Sequence, residues 1–217
     1  MDDFSSDPAS ILQHAKKILT MEAQALLDIR ESLGQPFIDA VRALLHCQGR
    51  IILIGIGKSG HVANKIASTL ASTGSPAFFI HPAEAAHGDL GMITSQDVLL
   101  LLSNSGESSE IIALLPALKR IGVLIIAITG NTTSTLAKVA DIHLLAKIKQ
   151  EACPLGLAPT TSTTLSLALG DALAICLLQA RHFTPDDFAR FHPGGSLGKR
   201  LLLHVKDLMY PLKNTPV

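Results

Sequence analysis

The chain has 217 residues, 47% of them hydrophobic and 17% charged, with 18 Lys+Arg balanced by 18 Asp+Glu. This composition suits one well-buried domain, and the lack of any long basic run argues against nucleic acid or a charged membrane surface as partner. Cys47, Cys153 and Cys176 are widely spaced, and the acidic start (Asp2, Asp3, Asp7) has no signal-peptide character, so a reduced, cytoplasmic setting is expected.

Asp7-Pro8 reads as a helix start, an N-cap acid followed by a proline whose missing N–H costs nothing there. Ile11, Ala15, Ile18, Ala25, Ile29 and Leu33 then recur at helical spacing until Gly34 and Pro36. That stripe suits packing on the body of the domain or a subunit contact, and nothing local separates the two. A second helix over 36–46 leads to the apolar run Ile51-Ile52-Leu53-Ile54. Four more strands are expected at 76–80, 97–102, 123–128 and 140–146, with helices at 59–73, 107–120 and 133–139 between them. Unalternating apolar strands that alternate with helices predict an α/β fold, a five-stranded parallel sheet flanked by helices on both faces. A loop at 147–159 precedes a long helix from Thr160 to about His182, where Asp171 interrupts the apolar stretch, so no membrane span is expected. Thr184-Pro185-Asp186-Asp187 caps a short helix that Phe191-His192-Pro193-Gly194-Gly195 ends. One domain over 1–209 is predicted, with N-terminal helices at 8–46, an α/β core at 50–203 and a tail at 210–217.

The third strand runs into Ser103-Asn104-Ser105-Gly106-Glu107-Ser108-Ser109-Glu110. Hydroxyls and backbone N–H groups where a helix begins, just past a parallel strand, suit a phosphate or another anion. A serine-rich turn with an ordinary cap is the plainer reading. Gly55-Ile56-Gly57-Lys58-Ser59-Gly60 fits the dinucleotide pattern, yet His81-Pro82 follows the next strand where an acid should hold a ribose. A nucleotide P-loop fails as well, because position 52 is isoleucine. What remains is a glycine turn that lets backbone approach a ligand, with Lys58 as a cation, or a plain turn with a solvated lysine.

The segment 81–91 places His81, Glu84, His87 and Asp89 at a strand end. Polar contacts to a sugar suit it better than a catalytic metal, since His-x-x-Glu-x-x-His is not a zinc spacing; a structural histidine loop is the alternative. Glu110 could simply complement a helix N-terminus. With Glu151, His192 and a phosphate site it could instead isomerise a sugar phosphate. That chemistry needs a carboxylate to move a proton between adjacent carbons and an acid/base to open the ring. Cys153 reads as an incidental thiol.

Six ordered motifs resemble the sugar isomerase (SIS) domain of D-arabinose 5-phosphate isomerases. They are Gly55-x-Gly57-Lys58-Ser59-Gly60, Ser72-Thr73-Gly74, 81–91, 103–110, 151–160 with Gly170-Asp171-Ala172, and His192-Pro193-Gly194-Gly195. The resemblance implies a Rossmann-like three-layer sandwich that interconverts D-ribulose 5-phosphate and D-arabinose 5-phosphate through a cis-enediol. It implies no required cofactor, a role in making the Kdo sugar of lipopolysaccharide, and a homotetramer. Lys58, Glu110, Glu151 and His192 match the family's catalytic positions. Ser103, Asn104, Ser105 and Ser108 match its phosphate loop, and Gly74, Ser75, His81 and His87 match other substrate contacts. His81 also matches a position that binds a zinc ion the chemistry does not need. On this reading Glu151 shuttles the C1/C2 proton, with Glu110 as its rival, His192 opens the ring, and Lys58 balances charge. Family members commonly continue into a pair of CBS domains, and none is expected within these 217 residues. Another SIS isomerase, acting on a heptose or hexulose phosphate, is the nearest alternative. A phosphosugar-sensing regulator would need a DNA-binding helix-turn-helix, and the first fifty residues read as two ordinary helices without basic clustering.

Overall fold

Five apolar runs form five strands: β1 (Ile51–Gly55), β2 (Ala77–Ile80), β3 (Val98–Leu102), β4 (Leu124–Thr129) and β5 (Ile142–Leu145). The computed structural model describes residues 6–194; the expected domain limit at 209, the tail 210–217 and Gly195 lie outside them. The strands are all parallel, in the order β2-β1-β3-β4-β5. Every residue of β1 and β3 is buried, because helices cover both faces, and this is why their sequences do not alternate.

Alternate residues feed two cores. Leu53, Leu100, Leu102 and Ile126 face α2 (Gln35–Leu45), α3 (Gly57–Ser72) and α8 (Thr161–Ala180). Ile52, Leu99, Leu101 and Ile125 face the layer of α4 (Pro82–Ala86), α5 (Ser109–Ile112), α6 (Leu115–Ile121) and α7 (Thr135–Val139). The expected three-layer α/β architecture is therefore present. The chain leaves β1 for β2 on one side and returns to β3 on the other, so the strand order reverses between β1 and β3. In open parallel sheets the crevice beyond the carboxyl ends at such a point is where ligands bind.

Two local expectations need correction. The helix foreseen over 107–120 is broken into α5 and α6, because Pro116 has no N–H for Ile112 and its ring would crowd that carbonyl. The segment after β2, read as a loop, instead holds α4 and one 3₁₀ turn at Asp89–Met92. In α1 (Pro8–Ser32) the apolar stripe divides. Ala25 is buried and Ile29 packs on the core, whereas Ile11, Leu12, Ile18 and Leu19 are exposed. Among the described helices α8 is long and apolar enough to cross a membrane. It packs on α3 in the core, and at the exposed margin of that contact Asp171 pairs with Lys65 at 2.6 Å. A short α9 (Pro185–Phe191) closes the described chain with a Thr184/Asp187 capping box.

Candidate active site

Gly55 and Leu102 are register partners at the ends of β1 and β3. The segments that follow them, Ile56-Gly57-Lys58 and Ser103-Asn104-Ser105, therefore start side by side at the reversal point. Strand and helix approach so closely here that a Cβ on Gly55 would strike the Ser59 carbonyl, and one on Gly60 the Gly55 carbonyl. Lys58, in the first turn of α3, is exposed beside this crevice.

The serine loop has a built shape. Ser103 is buried; its Oγ lies 2.8 Å from Ser108 Oγ and accepts the Gly106 N–H at 3.1 Å. Ser105 Oγ accepts the Glu107 N–H at 3.2 Å. Gly106 has φ of +68°, the left-handed region, and a Cβ there would collide with the Ser134 side chain. Asn104 and Ser105 stand exposed at the tip. Glu110 follows, exposed, accepting the Ser109 hydroxyl at 3.0 Å.

Glu151 reaches the same end of the sheet by another route. α3 and α8 run alongside each other in the same direction: Lys65 meets Asp171 midway, and Arg181, just past α8, donates to Ser75 just past α3. The start of α8 therefore lies near the start of α3. Glu151 caps it: Oε2 accepts Thr160 N (2.9 Å), Thr160 Oγ1 (3.1 Å) and Ser162 N (3.2 Å), and Oε1 accepts the Ser162 hydroxyl. Burial opposes ionisation of this carboxyl, but the donors from Ser162 and Thr160 outweigh it and hold it below the usual carboxylate range. Nearby, the backbone N–H groups of Ala158, Leu157 and Leu155 around the sulfur hold the Cys153 thiol below its ordinary range.

His81, Glu84, His87 and Asp89 are all exposed beyond β2. Nδ1 of His81 accepts the Ala83 N–H at 3.2 Å and so caps α4. Among the described residues no three His, Cys, Asp or Glu side chains converge as metal ligands. With His81 Nδ1 spent on the cap, the described residues here do not by themselves make up a metal centre.

Residues 44–176 match the family model described as the SIS domain. The arabinose 5-phosphate isomerase KdsD of Yersinia pestis is 53% identical over 211 residues, covering 97% of this chain and 64% of its own length. KdsD of Pseudomonas aeruginosa is 54% identical, with 97% of this chain and 65% of its own length covered. An Escherichia coli CFT073 protein solved in complex with arabinose 5-phosphate superposes with a TM-score of 0.84 at 42% identity, over 86% of this chain and all (100%) of that one.

The chain belongs to the SIS domain family.

It spans about 60–65% of the length of the curated relatives it matches. Within this SIS domain Lys58, His81, His87, the serine loop, Glu110 and Glu151 share the carboxyl end of the sheet. Gly74, Ser75 and His192 do not join them, so the residues named from the sequence divide between the two ends of the sheet within one chain. Gly74 and Ser75 precede β2, at the amino end. Ser75 is fully buried and its Oγ accepts from Arg181 Nε at 3.2 Å, while the Phe183 ring fills the space beside Gly74. Phe191 stacks on Phe183, and His192 stacks on Phe188 with Nδ1 2.9 Å from the Phe188 carbonyl. A strand's length, about 16 Å for five residues, separates this end from the serine loop. Sequence reasoning passed over the segment Thr129–Thr135 that braces the serine loop. Its position directly after β4, at the same sheet end, is the signal that could have found it.

Proposed function

We propose that this SIS domain is an aldose-ketose isomerase interconverting D-ribulose 5-phosphate and D-arabinose 5-phosphate, acting in the cytoplasm on the route to Kdo. The observation that carries the reading is the 53% identity with a KdsD isomerase over 97% of the chain. The geometry at the reversal point is consistent with it. The hydroxyls of Ser103, Ser105 and Ser108 and the amide of Asn104 form the phosphate anchor, and Lys58 offsets negative charge on phosphate or enediolate. Glu151, ionised at neutral pH, takes the C2 proton of the open-chain aldose. The same carboxyl returns it to C1 on the same face of the cis-enediol, while a proton passes from O2 to O1. Four donors fix its orientation, so it needs no rearrangement to act. A metal bound at His81 would take its other ligands from outside the described residues of this chain.

Ring opening removes a proton from the anomeric hydroxyl and supplies one to the ring oxygen, the task of His192. Because His192 lies at the amino end of its own sheet, it serves the carboxyl-end crevice of a neighbouring copy, whereas Ser75, fully buried on Arg181, shapes that end from within its own chain. The exposed apolar half of α1 gives such copies a surface to bury in a homotetramer.

The test is an assay of purified protein on ribulose 5-phosphate, sedoheptulose 7-phosphate and hexulose phosphates, with and without a chelator. Turnover of ribulose 5-phosphate, unchanged by the chelator, is expected. Turnover of the heptulose or hexulose phosphate instead would replace the proposed substrate.

A further inference from the structure

A carboxylate inside a phosphate loop should repel its ligand, yet Glu107 sits in the middle of the serine loop. Its side chain turns away. Oε1 accepts the Thr135 N–H at 2.7 Å, across 28 residues of sequence, at the start of α7. The backbone N–H and hydroxyl of Thr135 hold this carboxyl ionised below its usual range.

Two more bonds join the same segments. Gly130 N donates to the Asn104 carbonyl at 2.9 Å and Leu136 N to the Gly106 carbonyl at 3.1 Å. Beneath them the segment 129–135 is bonded within itself and to β5. Thr129, fully buried, donates its hydroxyl hydrogen to the Asn131 carbonyl at 2.9 Å. That leaves Nε2 of His143, 2.9 Å away on β5, as donor to Thr129 Oγ1. Ser134 is buried under Gly106 and donates to the same Asn131 carbonyl at 2.8 Å.

We propose that Glu107 is a positioning residue: by bonding Thr135 it clamps the serine loop onto the segment 129–136 and so presets the shape in which the loop receives a phosphate. The inference rests on the reading of Ser103–Ser108 as the phosphate anchor. The clamp aims the one acidic side chain of the loop tip away from the ligand, and it keeps the loop from having to order itself on binding. Such a residue acts on affinity and not on the proton transfers. A neutral amide oxygen can still accept the Thr135 N–H, so Gln should replace Glu and Ala should not.

Kinetics with ribulose 5-phosphate, and inhibition by inorganic phosphate, test this. Glu107→Ala should raise KM and the phosphate inhibition constant about fivefold to tenfold with kcat within about twofold, the loss expected for one hydrogen bond. Glu107→Gln should stay within about twofold of wild type in all three. Thr135→Pro removes the donor while suiting the first position of a helix. It should reproduce Glu107→Ala, and the double variant should lose little more. Unchanged KM in Glu107→Ala, or a collapse of kcat in Glu107→Gln, overturns the clamp and leaves the isomerase reading standing. Wild-type protein that neither turns over the sugar phosphate nor binds inorganic phosphate removes the anchor, and the clamp with it.

Discussion

Glu151 has two duties that can be separated. Its carboxylate satisfies two backbone N–H groups at the start of α8, at Thr160 and Ser162, a contribution of about 1–2 kcal/mol for a good cap. It is also the proposed base. Glu151→Gln keeps a carbonyl oxygen for these N–H groups but removes the charge and turns an amide NH2 toward the Ser162 hydroxyl, so the variant should lose some thermal stability as well as most of its turnover, about 10²-fold or more. Glu110 accepts a single hydroxyl on an exposed surface, and Glu110→Gln should leave the melting temperature unchanged. Near-normal exchange of the substrate C2 proton with solvent in Glu151→Gln would transfer the base role elsewhere. The pH dependence follows from the depressed folded-state pKa. The contribution of Glu151 to stability is present above the ordinary carboxyl value of 4.5 and is lost as pH falls through the lower folded value. The stability gap between wild type and Glu151→Gln should therefore narrow on acidification below that value.

Among the elements, the turn after β3 is the most constrained, and Gly106 is its hinge. Alanine there must hold a left-handed backbone and displace Ser134, whose hydroxyl caps Ala137 N at 3.2 Å. A cost of about 2 kcal/mol or more is expected, together with loss of phosphate inhibition while far-UV circular dichroism is retained. Wild-type phosphate affinity in Gly106→Ala would show that this turn does not shape the anchor. The strands around it were readable from sequence because both their faces are buried, which leaves uninterrupted Ile and Leu. α4 was not: five residues rich in alanine carry no helical period, and its cap is a histidine, outside the usual capping set. The break between α5 and α6 was available in Pro116. The serine loop was legible because its chemistry is local, and so was the pairing of Lys58 with it through the strand-end rule. The clamp was not, since Glu107 and Thr135 meet across two strands and their side-chain directions depend on the packed turn.

The assembled molecule sets the harder constraint. Lys58 and the serine loop lie past the carboxyl ends of the strands, and His192 lies before the amino ends, held by Phe188 and, through Phe191, by Phe183 against Gly74. No side-chain rotation spans a sheet, so a reaction that uses both groups must take them from different copies. On the proposed reading, a two-fold contact would do this twice, each chain offering its amino end to the other's crevice. The arrangement has a measurable signature. Lys58→Ala and His192→Ala should each be inactive alone. When equal amounts are mixed under conditions that exchange subunits, a site regains both groups only where a His192→Ala chain supplies the lysine and a Lys58→Ala chain the histidine. Random pairing makes that about a quarter of all sites, so activity should recover to about one quarter of wild type. A site contained within one chain predicts none, since every chain in the mixture then lacks one of the two groups, and an inactive mixture of demonstrably exchanged subunits would overturn the shared site.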